Sequence, residues 1–298
     1  ATLAFLFAGV GTAALAASPD LAACAAAQSS EDRVSACSAA IQSNAAQGRD
    51  LALVYFRRGA AYLKLKDYDR ALDDFDAGLK LDPNNAKALF GRGIAHEGKG
   101  EPEPALADYN AVLALEPDNT MALSNRAAIY ADMRAYERAL EDNNRVVEMS
   151  PQTAQGYLNR GLTYARRGDF VRAIGDFDSA IKLDEKSAIA FYNRGRVYFA
   201  SGEAAKAISD FDRAIDIGPK TAGVYDERGF AYLSLDQLDE AIADYDAALA
   251  LDGKRASALY GRGLAKQKKG DAAGSRDIEA AKAIKPDIAK SFDDAGIR

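Results

Sequence analysis

The chain has 298 residues, a formal net charge of −6, 48% hydrophobic and 28% charged residues, two cysteines and a single histidine. That acidic balance argues against a nucleic-acid surface, which needs a clustered basic stripe. One His leaves no credible base for a Ser–His–Asp or Cys–His arrangement, and no Gly-rich phosphate loop or zinc-ligand spacing is present.

Residues 1–17 carry no charge, include Leu3-Ala4-Phe5-Leu6-Phe7-Ala8-Gly9-Val10 and close on Ala14-Leu15-Ala16 ahead of Ala17-Ser18-Pro19. They read as the apolar stretch and small-x-small cleavage site of a secretory signal peptide without its Met and basic leader, cut after Ala16 or Ala17. An apolar N-terminal helix or a short membrane anchor is the alternative. A lipid anchor through Cys24 is a third, since Leu21-Ala22-Ala23-Cys24 has the local order of a lipoprotein box, although Pro19 and Asp20 interrupt the apolar run before it. The expectation is an exported chain, in the periplasm of a Gram-negative bacterium, with no membrane span in its mature form. Past the N-terminus no apolar run approaches the roughly 20 residues a spanning helix requires.

Residues 18–51 read as a degenerate helical hairpin that caps the N-terminal end of the remaining chain. Leu21, Cys24 and Ala25 mark one apolar stripe, and Val34, Cys37 and Ile41 mark another. Ser29-Ser30 makes the turn, with Ser29 and Asp32 placed to cap the second helix. In an antiparallel hairpin Cys24 and Cys37 stand opposite one another, and in an oxidising compartment they should pair. Such a short closed loop is worth about 3 kcal/mol on the chain-entropy estimate. Two buried thiols are the alternative. A metal site is not expected, because the cysteines lack further ligands and His96 falls at the core position of Tyr62 and Tyr130.

From residue 52 a 34-residue period governs the chain. An Arg recurs at Arg58, Arg92, Arg126, Arg160, Arg194, Arg228 and Arg262, followed by Gly in every copy except Ala127. Twelve residues after each small residue comes Ala71, Ala105, Ala139, Ala173, Ala207 or Ala241, and four further on Phe75, Tyr109, Phe177, Phe211 or Tyr245, with Asn143 in the third copy. Apolar spacings of three and four predict two amphipathic helices per unit. Pro83, Pro117, Pro151 and Pro219 end helices between units. Asn85, Asn119, Thr153, Ser187 and Thr221 are suited to start the next. Gly100, Gly168, Gly202 and Gly270 suit a left-handed stop at the turn within a unit. A fixed period of this length is the signature of stacked repeats.

These residues resemble the tetratricopeptide repeat family, whose pattern is met in one copy by Tyr157, Gly161, Tyr164, Ala173, Phe177 and Ala180, with Glu185 in place of its Pro. The resemblance covers seven copies, residues 52–288, and leaves 289–298 as a short capping helix. It implies an all-α fold, a right-handed superhelix (α-solenoid) of antiparallel helix pairs. The third copy lacks a core ring and is expected to be the softest joint. In the seventh, Gly274, Ile278 and Lys266 replace Ala, the aromatic and Tyr, as befits an end that faces water. Asp74, Asp108, Asp142, Asp176, Asp210, Asp244 and Asp277 keep step with the arginines, and an architectural ladder of Arg–Asp pairs is expected. Pairs such as Asp73-Asp74 are otherwise read as solvated.

In such an array the first helix of each unit lines a concave groove. Asn125, Asn159 and Asn193 recur at its sixth position and could pair bidentately with a peptide backbone. This is similar to the asparagine ladder in the repeat domain of O-GlcNAc transferase. Leu158, Leu162, Tyr192, Arg196, Phe199, Asp226 and Phe230 surround them, a mixture usual for recognition. The carboxylate clamp of chaperone adaptors is not expected, because no register supplies its Lys/Asn pair at the fifth and ninth positions. The expectation is a non-enzymatic scaffold, without cofactor or metal, that binds an extended peptide or partner protein in the groove. The alternative is a structural or self-associating envelope component that uses the convex face or the solenoid ends.

Overall fold

The computed structural model describes residues 18–297; the expected leader, 1–17, lies outside them. Seventeen α-helices and no strand occur among the described residues. The chain divides after Met149 into two compact units. That division falls at the end of the repeat in which Asn143 takes the aromatic position.

In the first unit α1 (Pro19–Ala26) pairs with α2 (Ser30–Gln42), α3 (Gly48–Lys64) with α4 (Tyr68–Leu81), α5 (Ala86–Lys99) with α6 (Pro102–Leu115), and α7 (Thr120–Asp132) with α8 (Tyr136–Met149). In the second, α9 (Ala154–Arg167) pairs with α10 (Phe170–Leu183), α11 (Ala188–Ala200) with α12 (Ala204–Ile217), α13 (Ala222–Ser234) with α14 (Leu238–Leu251), and α15 (Ala256–Lys268) with α16 (Gly274–Ile284). A short α17 (Ile288–Asp294) comes last and touches both α15 and α16. The first helices of successive pairs also touch, α9 to α11 to α13 to α15, and so form one continuous face of that unit.

Where a repeat carries a ring at this level, the small residue is there because that ring occupies space a side chain would need, whereas Gly263 faces Ile278 instead. A Cβ on Gly161 would lie 2.9 Å from the Phe177 ring, and one on Gly195 as close to Phe211. The rings of Phe75, Tyr109, Phe177, Phe211 and Tyr245 are fully buried. Each removes enough apolar surface from water to contribute on the order of 2–3 kcal/mol.

The turn inside the repeat is left-handed throughout. Gly100, Gly168, Gly202 and Gly270 have φ of 75–84°, and their equivalents Lys66, Arg134 and Asp236 have φ of 59–60°. Three repeats therefore hold a side-chain-bearing residue where glycine is the unstrained choice.

Capping is more selective than the sequence suggests. Asn85 accepts from the Ala88 N–H and Asn119 from the Ala122 N–H, both at 3.0 Å. Thr153, Ser187 and Thr221 precede their helices but make no side-chain cap bond. Asp67 and Asp169 instead cap second helices, accepting from the Arg70 and Arg172 N–H groups at 3.3 Å. Ser29 accepts from the Asp32 N–H at 3.0 Å, as expected.

Cys24 and Cys37 are joined by a disulfide, with Cα atoms 4.6 Å apart, and tie α1 to α2. Both are buried among Leu21, Ala40, Ala46 and Val54. No described helix is long and apolar enough to cross a membrane.

Candidate binding face

The Arg–Asp ladder is built as two tiers. Each of the seven arginines donates through Nε and Nη2 to the Asp of its own repeat, at 2.6–3.2 Å. Asp74, Asp108, Asp142, Asp176, Asp210 and Asp244 are buried, so Asp74 is a core group while its neighbour Asp73 is exposed. The second tier runs to the preceding repeat. Nη1 of Arg92, Arg194, Arg228 and Arg262 donates to Asp76, Asp178, Asp212 and Asp246 at 2.5–2.7 Å, and that of Arg126 to Asn110 at 2.6 Å. Sequence reasoning missed this tier, although its partners also recur, each two residues after the first-tier position. Planar guanidinium donors suit such bridging. The ladder consumes its own charges and offers none to a ligand.

The three asparagines do not act alike. Asn125 donates through Nδ2 to the Tyr109 hydroxyl at 3.0 Å, and that hydroxyl donates to Glu97 at 2.6 Å. Asn193 is buried and donates through Nδ2 to the Ile189 carbonyl one turn back at 2.8 Å. Asn159 accepts from Gln155 at 2.8 Å on an exposed stretch of α9. A uniform ladder therefore does not form, because each amide meets a different neighbour at the same register. His96 also differs from expectation. It is half-buried, with Nδ1 2.7 Å from a Glu101 carboxylate oxygen, instead of packed in the core.

The rest of the expected groove sorts into core, structural and accessible groups. Leu158 lies in the core with Phe177, Ala180 and Val197. Asp226 is buried and accepts from Arg255 Nε and Ser257 Oγ, both at 2.6 Å, so it joins α13 to α15. Phe199 and Phe230 pack at a tilt with centroids 5.1 Å apart, and Phe292 of α17 meets Phe230 edge-on at 4.8 Å and Tyr260 at 4.8 Å. The C-terminal helix thus covers this end of the face, which helical periodicity alone could not place. Tyr192 packs on Phe211 at 6.0 Å, with the Arg196 guanidinium over its ring at 5.8 Å. Burial, with the nearby Glu227 charge, pushes the Tyr192 hydroxyl up from its ordinary pKa.

Among the described residues, one open cavity of about 340 Å³ lies between α9 and α11. Leu162, Ala165 and Arg166 form one wall, Asn193, Arg196, Val197 and Ala200 the other, and Phe170 and Phe177 the base. Of the residues expected to bind, Leu162, Asn193 and Arg196 meet here. Arg166, two positions before the turn glycine, was not singled out. The arrangement offers an apolar base, an amide and two guanidinium groups, and no paired acid and base for chemistry.

A stack of helix pairs with this ring-and-glycine packing and this solvent-facing side defines a helical repeat scaffold. Profiles described as tetratricopeptide repeat match residues 52–85, 95–154 and 158–222, and one described as TPR repeat matches 231–270. The chain belongs to the tetratricopeptide repeat family, whose members bind protein partners on a fold that is typically a non-enzymatic scaffold. No curated protein sequence matches the chain. Among solved structures it is similar to a tetratricopeptide repeat protein from Parabacteroides merdae, with TM-score 0.65 and 22% identity over 79% of this chain and 92% of that one. It is also similar to Pseudomonas aeruginosa pilF, with TM-score 0.60 and 19% identity over 71% and 97%. A third is YrrB, described as a TPR protein with an unusual peptide-binding site, with TM-score 0.51 and 20% identity over 62% and 97%. At these identities the likeness is one of fold.

Proposed function

We propose that the protein is a non-enzymatic interaction scaffold that holds an extended peptide, or an extended segment of a partner protein, along the α9–α11 part of its first-helix face. The cavity between those helices carries the reading, because it is an apolar hollow edged by polar groups on the first-helix face. Ligand sites have this make-up, apolar walls with a few placed polar groups. Tyr192 and Arg196 extend the surface toward α13. YrrB offers a parallel for a peptide site on this fold.

We place the protein in the cell envelope, and the Cys24–Cys37 bond supports that reading, since structural disulfides persist in oxidising compartments. Self-association has less behind it. Val171 and Ile189 are exposed, but singly, and isolated apolar residues on a surface need no partner.

The test is affinity capture from an envelope fraction with the wild-type chain and with Ala200→Trp, which fills the cavity from its exposed rim. Thermal melts establish that the variant folds. A partner retained by the wild type and lost with the variant supports the groove. Partners retained equally by both would remove it.

A further inference from the structure

We infer that Arg33 and Arg57, two half-buried guanidinium groups without an acidic partner between α2 and α3, form an anion site in the first unit that takes the carboxylate of a partner peptide. The site does not depend on the α9–α11 cavity.

Arg57 and Arg58 are neighbours with opposite fates. Arg58 commits its donors to both Asp74 carboxylate oxygens and to Ser38 Oγ. Nη1 of Arg57 is buried and meets no acceptor, and no hydrogen bond or ion pair joins its guanidinium to the described residues. Burial first, then the charge of Arg33, push Arg57 below the ordinary arginine pKa, and no carboxylate opposes them. Arg33 reaches this place because α2 packs on α3. It donates through Nη2 to the Ala27 carbonyl, a neutral acceptor that leaves its charge unbalanced. Among the described residues it makes no ion pair, and residues 1–17 include no acidic side chain to supply one.

Two like charges held partly out of water oppose folding, and a buried donor without an acceptor adds to that cost. One anion relieves both, because it offers acceptors to two guanidinium groups and cancels their repulsion. Polar satisfaction is broken in this way chiefly at functional sites. The departure is local, since the sixth positions of the later repeats hold Gly91, Asn125, Asn159, Asn193, Glu227 and Gly261. Repeat architecture therefore requires no cation at Arg57. Glu31 and Asp32, exposed in the first turn of α2, favour an anion of single charge over a phosphate dianion. A carboxylate has that charge and two coplanar oxygens for guanidinium N–H groups. In a peptide it comes from an acidic side chain or from the chain end.

The experiment is NMR of the full chain labelled with ¹⁵N-arginine, following the Nε–H signals of Arg33 and Arg57, which the variants assign. The titrants are capped Gly-Glu-Gly, capped Gly-Gln-Gly, acetyl-Gly-Gly-Gly with a free carboxylate, and inorganic phosphate. The glutamate or the free-end peptide is expected to shift both signals saturably, and the tighter of the two names the source of the carboxylate. The glutamine peptide should shift neither. Arg33→Gln should weaken the Arg57 response about fivefold or more. Arg57→Met keeps the aliphatic stem; it should abolish the Arg33 response and, by removing an unpaired charge, raise the melting temperature by about 2–4 °C. No shift with either carboxylate, equal shifts with the glutamine peptide, or an Arg57 response unmoved by Arg33→Gln overturns the site. Tighter binding of phosphate overturns the choice of a carboxylate. A lower melting temperature for Arg57→Met would show that the fold already satisfies this charge, and overturns the proposal.

Discussion

The amide of Asn125 donates to the hydroxyl of Tyr109 at 3.0 Å, so a residue of one repeat completes the buried ring of the repeat before it. The same ring position in a later repeat has no such completion. The Tyr245 hydroxyl is buried without a hydrogen-bond partner, facing Gly261, where an added Cβ would lie 2.3 Å from it. Two tyrosines in equivalent places are thus predicted to respond oppositely to loss of the hydroxyl. Tyr109→Phe strands Glu97 and Asn125 and should cost about 1–2 kcal/mol. Tyr245→Phe should be neutral or stabilising by up to about 1 kcal/mol, since it removes a desolvated group. Urea unfolding of the two variants compares them directly, and equal losses would contradict the assignment.

The two tiers of the ladder separate in the same way. Asp244 is nearly inaccessible and depends on Arg228, whereas Asp212, bound to the same guanidinium at 2.5 Å, has a half-exposed side chain. Burial pushes the Asp244 carboxyl above its usual range, opposed by the hydrogen bonds from Arg228. Arg228→Ala leaves that charge buried and unpaired and should cost about 3 kcal/mol or more. Asp212→Ala removes a solvent-screened pair and should cost less than about 1 kcal/mol. Denaturation midpoints in reverse order would show that the inter-repeat tier carries the stability.

Glu227 gives stability a pH dependence. Burial first, then repulsion from Asp226, hold its carboxyl above the usual glutamate range, while Arg196 and Arg255 oppose the rise. The folded chain therefore binds this proton more tightly than the unfolded chain. Its contribution to stability is full in acid and is lost as pH rises from the ordinary glutamate range through the folded value. Glu227→Gln should melt near the wild type at about pH 4 and gain on it toward neutrality, by a few degrees on the order expected for this size of chain. A constant difference in Tm across that range would assign the effect to packing instead.

The Cys24–Cys37 bond holds a hairpin with little core of its own. Cys24→Ser with Cys37→Ser should remove about 3 kcal/mol from that hairpin. The effect should be confined to α1 and α2, and limited proteolysis should cut there first while the second unit stays resistant. Uniform digestion along the chain would mean the hairpin supports far more than itself.

The sequence by itself determined the repeat. Its period, its Arg-Gly pairs, its recurrent rings and its turn glycines are local signals that each copy restates, and helical geometry converts them into paired helices with one apolar seam. The Cys24–Cys37 pairing was legible for the same reason, because a short hairpin fixes who stands opposite whom. Tertiary structure alone decided what the sixth-position residues do. Asn125, Asn159 and Asn193 share a register, yet what lies beyond the helix differs at each, a tyrosine hydroxyl, a glutamine and a carbonyl one turn back. It also decided that Leu158 and Asp226 are interior groups, that Phe292 returns to cover Phe230, and that Arg166 meets Arg196 across one hollow. Periodicity reports which side of a helix a residue occupies. Which neighbour reaches that side depends on how long side chains of adjoining helices fill the space between them, and that is settled only when the helices pack.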